Sequence, residues 1–273
     1  MKNLITNSIL SYIVLNIKKN PKKSIFIQQI FIGFFLLFCW EYILSPIIGD
    51  YWISRPSRIY ASVLSLIMSG DLWWHLSATL SAALLGYSIG VVSAVIFAFL
   101  AGLNAKIGKI ASPYVTAGYS FPKEAVAPLF IILFGIGIGS KVALAIAAVF
   151  FIVYQNTLTG VLEVDRDLIN VLKISGANRI QLFFLVVAPS SSSWIFSGMR
   201  VAIRYAFTAV IFGEMLSGNR GLGFLIKYAA NMFNATGVFA GLSIVMIASV
   251  FMTIILQKLE QFVDRWRRVN VTL

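Results

Sequence analysis

Apolar runs of membrane-crossing length alternate along this chain with short breaks that carry prolines, lysines and arginines. The first run covers 24–44, behind Lys18, Lys19, Lys22 and Lys23, and continues uncut through Phe38, Cys39 and Trp40. A secretory signal has a shorter apolar core, so this run reads as a retained anchor. The polar and aromatic stretch 45–74, with Pro46 and Pro56, reads as a loop before a second run at 75–100 that carries Gly86 and Gly90 at GxxxG spacing. Region 110–138 contains Pro113, Pro122 and Pro128, with Lys123 and Glu124 among them. It reads as one crossing with a broken helix, because a break buried in protein can satisfy backbone groups that a lipid-facing break leaves bare. Further runs lie at 142–158, 195–216 and 238–256. Each approaches the ~20 residues that cover the hydrocarbon core.

The pattern predicts an all-α polytopic membrane protein with about six transmembrane helices. It divides the chain into a tail and first helix at 1–44, an extracytoplasmic loop at 45–74, a core at 75–259 with an inserted segment at 161–194, and a tail at 260–273. Composition agrees: 59% of residues are hydrophobic and 12% charged, against roughly 25% charged in a soluble domain. That excludes most soluble enzymes, disordered proteins and disulfide scaffolds. The single Cys39 cannot form an intrachain bridge, and the single His75 supports no histidine metal cluster.

A net charge of +12 suggests nucleic acid until its distribution is considered. The basic residues edge the apolar runs and build no stripe on a soluble face, so they report topology instead. The N-terminal tail, the turn with Lys106 and Lys109, segment 161–194 and the C-terminal end hold most of the 22 Lys and Arg residues. The opposite side has Arg55, Arg58, Lys141, Arg220 and Lys227. Both termini are therefore expected in the cytoplasm of a multi-pass plasma-membrane protein.

Segment 161–194 is the most informative. Leu168, Val171, Leu172 and Ser175 recur at helical spacing, Asp165 or Asp167 can start the helix, and Gly176 permits a terminating turn. A second amphipathic piece at 178–187 is expected to stop at Pro189. Helix, glycine turn, helix is a short rigid element on the cytoplasmic surface. Packing that hairpin onto the bundle is its simplest use.

Charges inside the apolar runs are the other candidates. Lys123 and Glu124 fall midway along their region and are expensive unless they meet a partner, another span or a wet path. A translocation path, a buried structural pair and an interfacial position all remain open for them. Arg204 and Glu214 are further candidates for the path; Arg204 can admit an anion or pair with Glu214 of a second subunit, since within one straight helix the two are ~15 Å apart. Gly221 and Gly223 suggest a tight outer loop. No GxxxxGK[ST] phosphate loop occurs, so any ATP hydrolysis belongs to another chain.

The hairpin resembles the EAA loop of ABC importer permeases. Gly176, Val186 and Pro189 stand at that motif's spacing, while Asn170, Val171 and Leu172 replace the opening Glu-Ala-Ala and Ala188 replaces its Leu. Matches continue through 120–123, 127–129, 134–137, 164–168, 198–200, 213–215 and 221–223. Over about 190 residues the chain resembles the nitrate/sulfonate/taurine group of binding-protein-dependent permeases, and also permeases for bicarbonate and pyrimidine vitamin precursors. The resemblance implies a type I importer core. It implies a second permease copy, two ABC ATPase subunits that use ATP and Mg, and an extracytoplasmic solute-binding protein. No cofactor is expected on this chain. By resemblance, Leu168, Asn170, Val171, Leu172, Ile174, Gly176 and Pro189 would couple to the ATPase. The implied activity is uptake of a small solute: an anion such as nitrate, bicarbonate, sulfonate or taurine, or alternatively a pyrimidine vitamin precursor. An ion-coupled secondary transporter would instead show an internal repeat with matched buried acids; Glu124 and Glu214 occupy unlike contexts. A membrane assembly protein would use the hairpin only for binding.

Overall fold

The structure, a computed structural model, describes residues 21–49 and 51–263 of the 273-residue chain. Lys18, Lys19 and most of the expected 260–273 tail lie outside the described residues. In chain order the helices are α1 Pro21–Cys39, α2 Ser45–Ile48, α3 Pro56–Met68, α4 Asp71–Leu103 and α5 Ala105–Ser120. Then come α6 Ala127–Phe134, α7 Ile138–Leu162, α8 Arg166–Ile174, α9 Arg179–Leu182, α10 Ala188–Ser217, α11 Leu222–Asn231 and α12 Ala235–Val263. Single π turns join α1 to α2 at Trp40–Leu44 and α9 to α10 at Phe183–Val187.

Among the described residues, five rods are long and apolar enough to cross a membrane: Ile25–Ile48, Asp71–Leu103, Ile138–Leu162, Arg179–Ser217 and Ala235–Phe262. The region expected as a third crossing is a relay of α5, a 3-10 turn at Lys123–Val126, and α6. Neither of its helices, 16 and 8 residues long, reaches membrane-spanning length alone. The break falls at Phe121, whose ψ of 134° is extended, because the ring of Pro122 excludes the helical conformation from the residue before it.

Two expectations need correction. Stretch 45–74 is largely helical, since Pro56 at the start of α3 loses no needed N–H and presets the helical φ. Pro189 does not stop its helix either. The preceding π turn lets Ala188 N–H donate to the Phe183 carbonyl five residues back, and the helix runs on to Ser217.

The centre of the bundle is α7, packed between α4 and α10. Half of its apolar window is buried, against 6% for Ile25–Ile48 at the periphery. Contact is close because the interfaces are small: Ala82, Ala83, Ala94, Ala98, Ala145, Ala202 and Ala206 are all nearly inaccessible. A side chain at Gly86 would strike Ala145, and one at Gly90 would stand 2.9 Å from the Val149 side chain. Close packing of this kind drives association between helices where lipid supplies no hydrophobic contrast. The bundle therefore has a hairpin end, where Phe99 of α4 meets Val161, Val164, Val186 and Val187, and a far end, where α4 and α7 begin and α10 stops.

Candidate functional site

At the hairpin end, local chemistry fixes the conformation. Asp165 accepts from the Asp167 N–H at 2.8 Å, capping α8, and Lys173 lies in its last turn. Gly176 follows with φ +83°. Ala177 N–H returns to the Leu172 carbonyl at 2.9 Å and Gly176 N–H to Lys173 at 3.0 Å. These two bonds close the C-terminus as a glycine-dependent Schellman turn. Asn178 and Gln181 then form a reciprocal capping box, each bond 2.8 Å long, at the start of α9.

The two sides of α8 do different things. Ile169 and Leu172 pack with Phe183 onto Val161, Val164, Val186 and Val187. Leu168, Val171 and Ile174 point away, 51%, 60% and 88% exposed. Asn170 is exposed between the two sides, and Pro189 is exposed within the continuous helix. Sequence alone places Leu168 and Leu172 in one group; packing separates them. An exposed apolar row on a doubly capped helix is chemically a seat for a partner groove.

The charged candidates do not converge. The Lys123 ammonium donates to the Tyr119 carbonyl and sits 5.3 Å from the Tyr119 ring centroid and 5.8 Å from that of Phe151. Glu124 is half-buried, and Arg204 is exposed on α10. Arg200 forms an ion pair with Glu260 that ties α10 to α12.

Glu214 is 1% exposed at the far end. The Thr79 hydroxyl stands 2.9 Å from each of its carboxylate oxygens, and Gly223 N–H donates to Oε2 at 2.9 Å. Thr79 Oγ1 also accepts from the Leu222 N–H at 2.8 Å, and Gly221 N–H donates to His75 Nδ1 at 3.1 Å. Gly221 has φ +119°, and a side chain there would overlap the Glu214 carboxylate. Glu214 thus latches the loop before α11 to α4 inside its own subunit, where the sequence reading has it facing a path or a second subunit. Arg220 completes the cluster: Nε donates to the Trp74 carbonyl at 2.9 Å, Nη2 to Ser77 Oγ at 2.7 Å, and its guanidinium lies 3.6 Å from the Trp74 ring centroid. Sequence reasoning missed Thr79, whose partner is 135 residues away.

Residues 86–265, from α4 to the end of α12, match the family described as binding-protein-dependent transport system inner membrane component. The chain belongs to this family. It is 30% identical over 234 residues to the formylaminopyrimidine transport permease of Halalkalibacterium halodurans, covering 85% of this chain and 93% of that one. With the riboflavin transport system permease of Chloroflexus aurantiacus it shares 33% over 214 residues, covering 78% and 80%. With the taurine transport system permease of Escherichia coli it shares 26% over 232, covering 83% and 84%. The fold is that of the inward-facing MetNI methionine ABC transporter, with TM-score 0.62 at 18% identity over 72% of this chain and 96% of that chain. This family member is a membrane-embedded, non-catalytic transport component of an importer that receives a small solute from a solute-binding protein. ATP and Mg are used by the partner ATPase subunits of such a system.

Proposed function

We propose that the chain is the permease of an ATP-driven importer for a heterocyclic vitamin or vitamin precursor. The coupling role rests on one observation: α8 packs Ile169 and Leu172 inward and leaves Leu168, Val171 and Ile174 bare. Two copies form the membrane unit, each seating that row in a groove of one ATPase subunit. Both termini lie on the ATPase side, and the solute-binding protein docks at the far end. Cysteine labels at Lys173 and Arg267, in a background without Cys39, should react only from the cytoplasm; surface labelling of Lys173 in intact cells would reverse this topology.

The substrate class is supported by relatives that carry formylaminopyrimidine or riboflavin at 30% and 33% identity, above the 26–28% of the taurine and sulfonate permeases. Half-buried Lys123 and Glu124 of the broken third segment and exposed Arg204 of α10 line the path. Uptake into proteoliposomes holding permease and ATPase should be measured with a pyrimidine, a flavin, taurine, nitrate and bicarbonate, each with its binding protein. Uptake of a heterocycle that needs ATP is the expected result. Transport of sulfonates or nitrate alone would overturn the substrate class, and uptake that survives without the ATPase but collapses with an ionophore would overturn the mechanism.

A further inference from the structure

Gly221, Leu222 and Gly223 open α11 with three consecutive backbone N–H groups, and the glycine at the cap position has no side chain to serve them. Each is taken instead by a side chain from elsewhere in the bundle. Gly221 N–H donates to His75 Nδ1 at 3.1 Å, Leu222 N–H to Thr79 Oγ1 at 2.8 Å and Gly223 N–H to Glu214 Oε2 at 2.9 Å. His75 and Thr79 lie one turn apart on the same face of α4. The half-buried imidazole lies nearly parallel to the Phe224 ring, with centroids 5.8 Å and planes 12° apart. That contact steadies the ring while Nδ1 meets the loop.

The three acceptors differ in what a proton does to them. Thr79 does not titrate, and a protonated Glu214 keeps a carbonyl oxygen that still accepts. A protonated imidazole carries N–H on both nitrogens and accepts nothing, so the Gly221 N–H would face another donor. The bond to Gly221 therefore requires a neutral His75 with its proton on Nε2. Two charges of opposite sign act on the ring: Asp71 one turn earlier on α4 and Arg220 in the loop. Arg220 is held beside α4 by Trp74 and Ser77. Glu214 of α10 reaches the ring's neighbourhood through Thr79, and Lys141 of α7 shares a cavity with Glu214 and Arg220. Beyond Phe224, α11 carries Lys227; α3 and α12 meet this part of α4 through apolar side chains, Val63 and Ile244 among them. Of all these groups, only the imidazole turns from acceptor to donor.

We propose that His75 makes the far-end latch responsive to pH outside the membrane, closed while the imidazole is neutral and loosened by acid. The inference rests on reading the chain as an importer permease whose far end faces outward. Above about pH 6.5, the ordinary midpoint of an imidazole, the Gly221 bond is intact. As the outside pH falls through that range, the acceptor is lost and the imidazolium is repelled by Arg220. The loop before α11 then keeps Thr79 as its remaining tie to α4 at these three amides. An importer shuts its far end while the other end is open, and the attachment of α11 to α4 and α10 belongs to that closure. Acid outside therefore slows uptake.

The test uses the permease–ATPase complex in liposomes, with ATP inside and the binding protein with a labelled pyrimidine or flavin outside. Uptake that needs no ATP at neutral pH would remove the importer reading itself, before any acid is applied. Given ATP-driven uptake, the inside is held at about pH 7.5 while the outside is taken from about pH 7.5 to about pH 5.5, across the imidazole range. Wild-type uptake should fall at least about fivefold. In His75→Asn, whose Oδ1 replaces Nδ1 as acceptor and does not titrate, the fall should be less than about twofold. Equal falls in the two would assign the acid effect to another group, such as Glu214 or the binding protein, and overturn the proposal. A response to acid inside alone would overturn it as well. If His75→Asn does not assemble, the wild-type complex still decides. His75 is the only histidine of the chain, so permease made with isotope-labelled histidine gives one imidazole signal, expected as the neutral ring protonated on Nε2 at about pH 7.5. Exchange protection of the Gly221 amide should drop about tenfold once that ring is charged. A neutral ring protonated on Nδ1, or equal protection on both sides of the titration, would overturn the proposal.

Discussion

Replacing Thr79 by valine removes one hydroxyl and leaves the shape of the side chain nearly intact. That hydroxyl serves two buried partners, donating to the Glu214 carboxylate at 2.9 Å and accepting from the Leu222 N–H at 2.8 Å. Leu222 is fully buried, so its N–H finds no water in exchange. An orphaned buried donor costs about 1–3 kcal/mol, and a lost hydrogen bond to a charged acceptor about 1.5–3 kcal/mol. The extra methyl of valine returns about 0.8 kcal/mol. A net cost of about 3 kcal/mol remains, centred on the latch between α4 and α11. Amide hydrogen exchange of the protein in nanodiscs reads this directly, since local opening exposes the Leu222 and Gly223 amides. Their protection should fall about 100-fold in Thr79→Val and less than tenfold in Thr79→Ser, which keeps the hydroxyl. Equal protection in wild type and Thr79→Val would refute the latch.

The two sides of α8 separate coupling from folding. Ile174→Asp, at a position 88% exposed, should change stability by less than about 0.5 kcal/mol while uptake in proteoliposomes drops at least tenfold; Leu172→Asp puts a charge among Val161, Val164 and Val186 and should instead lower the yield of folded protein. In Gly176→Val the new side chain meets nothing within 4 Å, so the cost is the left-handed backbone, about 1–2 kcal/mol. Uptake should be lost with the complex still assembled on a sizing column, and normal transport by a folded Gly176→Val would contradict the hairpin's role. Lys123→Met keeps length but loses the charge that reaches the Tyr119 carbonyl. Transport should fall while assembly survives, and a fall in assembly first would make Lys123 a structural residue.

Legibility followed the distance over which each feature is decided. Membrane-crossing rods depend on about 20 consecutive residues, and α7 and α12 contain their expected runs at 142–158 and 238–256. The hairpin depends on Asp165, Gly176 and the Asn178–Gln181 pair, all cues within one or two turns. Pro189 misled because a proline ends a helix only when the ladder before it is α-helical. The latch was illegible for another reason. Nothing near Glu214 in sequence names Thr79, and only the packing of α4 against α10 across α7 brings them together. The third region gave its break correctly at Pro122, yet the number of helices that cross there depends on neighbours the sequence does not order.

The two π turns make a common point. Each immediately precedes an X-Pro step, Ser45-Pro46 or Ala188-Pro189, and each shifts one bond to the carbonyl five residues back. Proline lacks an N–H and crowds the carbonyl four residues earlier, so widening the turn by one residue removes both difficulties without ending the rod. At Pro189 the consequence reaches the whole molecule. Arg179 to Ser217 becomes one 39-residue rod, ~58 Å long at 1.5 Å per residue, with the capping box of the hairpin at one end and Glu214 near the other. Arg200 ties this rod to α12 partway along, and Gly198 lets it lie against Asn156 of α7. A terminated helix at Pro189 would have put a break between the capping box of α9 and the far-end cluster. A continuous rod leaves no such break, and its Glu214 end is bonded through Thr79 and Gly223 to α4 and the loop before α11. One packed element therefore joins the second helix of the hairpin to the far-end cluster without an intervening loop.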